Sequence, residues 1–376
     1  MVRAPRVTPN LNHHERPSAT SGSRLHQTFL LFHGQLLRRR IMSSQDNVLR
    51  LEDFEDFSRW RASPDDLSSI RSVIFRPGGR EMLNLNPPEP IAYTGGGRLP
   101  TLPQVTELKW QPLTSRPTRM TTEVGNFLQA FPGLQKLTIS GSFVSHDHLK
   151  AFLLPFTGVL KELVLEDDLE FLEQGSVLST GPESAIHFSS LERLDLQISH
   201  PIMISLFYGV SSSLKKLSFS LLDLENTVRA LGRKVHLRPL PPSFPPLPAL
   251  QELTIPVYAG LRQDITRGTL LASNNLLEAT NAAELRIIKL VVSANSDAEV
   301  TQMLECHSWP TFLELASNRF PKVEELQLMF NMEMAKEITA PRKKAVEDLV
   351  NQLMNFGNRR IIVNWTHVTV KEEDFF

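Results

Sequence analysis

The sequence predicts an α/β solenoid: short parallel strands stacked side by side and joined by helical crossovers. Three observations predict it. A six-residue apolar pattern recurs nine times along the chain. Amphipathic stretches of helical length lie between the copies. The 376 residues are 41% hydrophobic and 22% charged, which supplies a core, yet no apolar run reaches the ~18–20 residues that span a bilayer.

The pattern is apolar, two variable, apolar, one variable, apolar. It occurs at Ile70-Val73-Phe75, Val105-Leu108-Trp110, Leu134-Leu137-Ile139, Leu160-Leu163-Leu165 and Leu191-Leu194-Leu196. It continues at Leu214-Leu217-Phe219, Leu250-Leu253-Ile255, Leu285-Ile288-Leu290 and Val323-Leu326-Leu328. Successive copies start 35, 29, 26, 31, 23, 36, 35 and 38 residues apart. The last two apolar residues of each hexad alternate with polar ones, the period of a half-buried strand. The first sits at the corner leading into it. Lead-ins recur as well: Phe131-Pro132-Gly133, Phe188-Ser189-Ser190, Leu247-Pro248-Ala249 and Phe320-Pro321-Lys322. One unit has too little apolar surface to close a core, and stacked units share one.

Helical spacing follows several strands. Residues 145–156 place Leu149, Phe152, Leu153 and Phe156 on one face, with Ser145 as N-cap and Asp147 in the first turn. Residues 169–177, 223–231, 265–277 and 298–304 read similarly. Residues 342–356 carry Val346, Leu349, Val350, Leu353 and Met354 on one stripe between Pro341 and Gly357. Residues 359–365 then read as a final strand.

The ends and insertions differ from the repeats. Residues 1–45 hold seven arginines, no lysine and one acid, Glu15. Residues 1–47 therefore read as a disordered basic tail. An Arg-rich, acid-poor start also suits mitochondrial targeting, and Met42 is an alternative natural start. Residues 48–98 form an N-terminal cap, the first repeat strand and an irregular insertion marked by Pro77-Gly78-Gly79, Pro87-Pro88 and Gly95-Gly96-Gly97. Residues 99–376 form the repeat domain with a helix-and-strand C-terminal cap. Within it, residues 236–248 are proline-rich and extended, and Arg238-Pro239-Leu240-Pro241-Pro242 matches part of an SH3 ligand.

The hexad with its following helix resembles the leucine-rich repeat over roughly residues 66–365. The asparagine position of that repeat is held here by Gly78, Leu113, Ser142, Asp168, Ser199, Leu222, Tyr258, Ser293 and Asn331. The long, irregular units with Phe-Pro lead-ins resemble those of fungal F-box and leucine-rich-repeat proteins. The resemblance implies a horseshoe with strands on the concave face and helices on the convex face. It further implies substrate recognition for a cullin-type ubiquitin ligase, with the ligase adaptor as a partner. The F-box itself is not found: residues 47–69 are its one place, and Leu51-Glu52-Asp53-Phe54-Glu55-Asp56-Phe57 does not fit it. The alternative is a stand-alone scaffold, in which that segment caps the solenoid.

Charge and chemistry narrow the function classes. Forty basic against 41 acidic residues give a formal charge of −1, a poor match to nucleic acid. Cys306, the one cysteine, excludes intramolecular disulfides and multi-cysteine metal sites and fits an intracellular, cytoplasmic or nuclear compartment. His146 and His148 are two residues apart, so on a helix they diverge rather than share a metal. Cys306-His307 lacks an oxyanion-stabilising loop. Gly95-Gly96-Gly97-Arg98 lacks the Gly-Lys-Ser/Thr ending of a phosphate loop. Asn364-Trp365-Thr366 is a formal glycosylation sequon inside a strand. Glu166-Asp167-Asp168 reads as a solvated acidic turn. No catalytic, cofactor-binding or metal-binding residues are assigned, and the reading is non-enzymatic.

Alternation places a partner surface instead. If hexad positions four and six face the core, positions three, five and seven face outward. The protein-binding set is Lys136, Thr138, Glu162, Glu166, Arg193, Asp195, Lys216 and Glu252, with Trp110 assigned to packing. Its mixed charge suits a protein or peptide with a complementary pattern, and no membrane or nucleic acid.

Overall fold

The structure is a computed structural model that describes residues 42–43, 47–51, 68–76, 101–112, 117–166, 169–171, 185–197, 203–210, 212–220, 245–259, 263–294, 296–332, 340–354 and 356–366. The chain divides into two compact units, Met1–Asp46 and Asn47–Phe376. The described residues of the first are the two-residue strand Met42–Ser43. The second is an α/β unit built on one parallel sheet.

Eleven strands of this unit lie side by side in chain order. They are β1 (Val48–Leu51), β2 (Ser72–Phe75), β3 (Glu107–Trp110), β4 (Lys136–Ile139), β6 (Glu162–Leu165), β8 (Arg193–Gln197) and β9 (Lys216–Ser220). The longer β10 (Glu252–Tyr258), β11 (Ile287–Ala294), β12 (Glu325–Met332) and β13 (Arg360–Thr366) follow. Every pairing between neighbours is parallel. A second, two-stranded parallel sheet joins β5 (Ser142–Phe143) to β7 (Glu170–Phe171). Seven α-helices are described: α1 (Thr122–Leu128), α2 (His146–Leu153), α3 (Met203–Val210), α4 (Gln263–Ala279), α5 (Asp297–Leu304), α6 (Trp309–Arg319) and α7 (Ala340–Leu353).

The hexads set the register. Their fourth positions form one continuous buried row, from Val73 through Leu108, Leu137, Leu163, Leu194, Leu217, Leu253 and Ile288 to Leu326. The corner residues Val105, Leu134, Leu160, Leu191, Leu214, Leu250 and Leu285 are also fully buried. Truncating any of these leucines to alanine costs about 2–5 kcal/mol, because the stacked neighbours cannot collapse into the void. The lead-ins turn the chain into the corner: Leu134 N–H bonds the Phe131 carbonyl, Leu250 the Leu247 carbonyl and Val323 the Phe320 carbonyl. At the starts of β2, β3, β4, β6 and β8–β12, one carbonyl at the start of the preceding strand takes two successive amides. The Lys161 carbonyl, for example, accepts from Glu192 and Arg193 at 2.8 and 2.9 Å.

Between β2 and α2 the core is aromatic. Trp110 stacks on Phe75 at 4.6 Å and meets Phe152 edge-on at 4.9 Å. Its indole N–H donates to Thr118 Oγ1 at 2.9 Å, so Trp110 is a packing residue. Gly141, at φ +78°, makes the corner from β4 to β5; a Cβ there would lie 2.5 Å from the Pro112 carbonyl oxygen.

Several expectations change. Residues 169–177 do not begin a helix: Glu170–Phe171 is a strand whose backbone pairs with β5, and Phe171 stacks on His146. The helix expected over 145–156 stops as α at Leu153 and tightens into a 3₁₀ turn over Leu154–Phe156, because Pro155 brings no amide. Ser145 holds the N-cap position with extended dihedrals, but its hydroxyl makes no cap hydrogen bond. Strand β1 and helices α1, α3 and α6 add to the expected elements. Within the tail expected to be disordered, Met42–Ser43 is a strand and Asn47 a turn; the rest of the tail, the 76–99 insertion between Arg76 and Leu99, the 223–231 helix and the proline-rich segment before Pro245 lie outside the described residues.

Candidate functional site: the exposed sheet face

The parallel register turns the outward hexad positions into rows that cross the sheet. Hexad position three gives Glu107, Lys136, Glu162, Arg193, Lys216, Glu252, Ile287, Glu325 and Arg360 on successive strands. Position five gives Lys109, Thr138, Val164, Asp195, Ser218, Thr254, Lys289, Gln327 and Ile362 in the same order. Seven of the eight expected binding residues therefore share two adjacent rows. Glu166 follows the end of β6, and its amide bonds the Ile139 carbonyl at 2.9 Å.

Directly opposed charges on neighbouring strands must alternate or find other partners. Lys136 pairs with Glu107 at 3.0 Å. Arg193 and Lys216 are adjacent cations, and each turns away from the other. Arg193 grips Asp195 on its own strand through Nε and Nη2, at 2.8 Å for the shortest contact. The hydrogen-bonded Asp195 carboxylate raises the pKa of Arg193 above its ordinary value, against the opposing effect of burial; the charges of Glu162 and Glu252 add to the increase. Lys216 reaches Glu252 at 3.6 Å, and Glu252 also takes Lys289 at 2.8 Å. Farther along, Arg360 meets Glu325 at 3.0 Å, and the Gln327 amide donates to the same Glu325 carboxylate. Much of the charge on the face is thus compensated internally, with accessible cationic side chains at Lys136, Arg193 and Lys216, which are 41, 47 and 56% exposed.

Thr138 sits in the outward register but is buried, 5% exposed, and offers a partner little. Two features escaped the sequence reading. The charged row extends to Glu107 at one end and to Lys289, Glu325 and Arg360 at the other. The longer β10–β12 also carry apolar residues in the outward register, Pro256, Val291 and Met329, paired with one another; Val291 and Met329 are half-buried, whereas Pro256 is buried. The signal for these lay in Ile287-Ile288-Lys289-Leu290-Val291-Val292, where unbroken hydrophobicity replaces alternation.

The possible chemical centres are dispersed. His146 lies on Phe171 with ring centroids 3.9 Å apart, while His148 Nδ1 accepts from the Met120 amide at 3.0 Å. Cys306 is a half-buried free thiol just past α5, with its amide on the Met303 carbonyl. Trp365 of the sequon stacks on Phe330. Among the described residues no group of three or more His, Cys, Asp or Glu side chains converges as a metal site, and no helix is long and apolar enough to cross a membrane. No protein-family model matches the chain, and neither the curated proteins nor the solved structures contain a significant match to it.

Proposed function

We propose that the chain is a non-catalytic protein-recognition module of leucine-rich-repeat type, a solenoid that presents the position-three and position-five rows on its concave side. The observation that carries this reading is the in-register exposed face itself. Several of its charges are held by pairing within or across strands before any partner arrives, which lowers the ordering entropy lost on binding. A pre-organised pattern of mixed sign selects a partner of complementary pattern and rejects a uniform polyanion.

The role of ubiquitin-ligase substrate receptor rests on the resemblance alone. Val48–Leu51 is built into the sheet as a strand paired with β2, which favours the stand-alone scaffold, in which this segment caps the repeats. The test is purification of the tagged chain from its native cells, alongside an Arg193→Glu/Lys216→Glu variant. A partner recovered with the wild type and lost with the folded variant supports recognition through this face. Equal recovery with both sinks it. Near-stoichiometric adaptor and cullin would overturn the scaffold preference.

A further inference from the structure

We propose that the last strand of the sheet, β13, is the interface of a two-fold dimer, in which it pairs antiparallel with its own copy. β13 ends the strand order, and among the described residues only β12 pairs with it. The Arg360 amide bonds the Glu324 carbonyl at 3.0 Å. By the alternation of a parallel ladder, residues 360, 362, 364 and 366 spend their backbone groups on β12, while Ile361, Val363 and Trp365 present theirs to the open side.

The side chains tell the same story. Leu326, Leu328 and Phe330 of β12 are fully buried, whereas their register partners Ile361, Val363 and Trp365 are only half-buried. Among the described residues, the apolar core therefore runs out to a rim that no further strand covers. Trp365 adds a buried indole N–H that has no acceptor among the described residues. The strand has neither proline nor a charge on its core face, the usual guards against pairing.

The strand is also complementary to itself. A two-fold axis through Val363 sets Val363 opposite Val363, Ile361 opposite Trp365, Ile362 opposite Asn364 and Arg360 opposite Thr366. All core-face pairs are then apolar, and no arginine faces an arginine. The outward-pointing residues fall opposite one another, which gives about six backbone hydrogen bonds across the axis. Such an interface is isologous and closes at two copies, whereas a head-to-tail pairing of β13 with a different strand of another copy would extend without end.

Sedimentation of the full chain over a wide concentration range tests this, with dimer expected. Val363→Pro removes an outward amide at the axis and leaves the β12 ladder its bonds, so a folded monomer is expected. A second test does not depend on that variant. In a Cys306→Ser background, Val363→Cys places two thiols on Cα atoms about 5.5 Å apart across the axis, within disulfide reach. Oxidation should give a covalent dimer, and Ile362→Cys should give none. A wild type that is monomeric throughout, or a dimer that survives Val363→Pro and forms no cross-link at position 363, overturns the proposal.

Discussion

Gly209 lies in α3 where the helix presses against the preceding chain: a Cβ there would fall 1.7 Å from the Ile186 carbonyl oxygen. The contact is part of the fold's wiring, since Phe188 N–H donates to the Gly209 carbonyl at 3.0 Å. Alanine normally improves a helix by about 1 kcal/mol over glycine. Here the clash reverses the sign, and Gly209→Ala should destabilise by about 1–3 kcal/mol or more. Gly158 has nothing within 4 Å of its would-be Cβ and no positive φ, so Gly158→Ala should be neutral or gain about 0.4–1 kcal/mol. Parallel thermal melts read both, and a Gly209→Ala protein as stable as wild type would contradict the packing. Neither glycine announced itself in the sequence. The approach of one backbone to another is a tertiary fact that composition does not carry. Thr138 makes the same point: alternation placed it outward, but burial depends on the neighbouring strands.

At the scale of elements, the strands were legible because leucine-rich hexads repeat with the period that packing requires. β1 was missed because its corner position holds Asp46 rather than an apolar residue, and Asn47 turns the chain at φ +52°. α1 and α6 did carry signals. Val124, Phe127 and Leu128, and likewise Trp309, Phe312, Leu313 and Ala316, recur at helical spacing and are buried. Met203–Val210 is too short and too uniformly apolar to show a period. Caps separate two of the helices. Ser296 Oγ accepts the Glu299 amide at 3.3 Å, whereas Ser145 makes no such bond. Ser296→Ala should therefore cost about 1 kcal/mol, and Ser145→Ala clearly less. Urea denaturation of the two variants distinguishes them, and equal losses would refute the assignment.

Across the second unit, the sheet's parallel direction and strand order followed from the sequence, because the recurring hexad sets each strand beside its neighbours. What lies on either side of a repeat is less legible. The second sheet of β5 and β7 and the half-buried rim of β13 arise where the local pattern ends, and there the chain's remaining backbone and apolar groups take what partner is available. The rim has a readout of its own. If β13 pairs across the two-fold axis, the Val363 amide should exchange slowly in concentrated protein and fast in dilute protein, while the Ile362 amide, held by β12, stays slow in both.

The lengthening of the strands, from four residues in β1 to eight in β11 and β12, implies an uneven resistance to local opening. Each further residue pair adds ladder bonds and buried side chains that must all be released together, so the free energy of opening rises towards the C-terminal repeats. Deuterium uptake should accordingly reach Val48–Leu51 and Ser72–Phe75 first and Ile287–Ala294 and Glu325–Met332 last. Stress applied at the β1 end would be absorbed by yielding repeats before it reached the broad strands. The sheet would then have a compliant end and a stiff one.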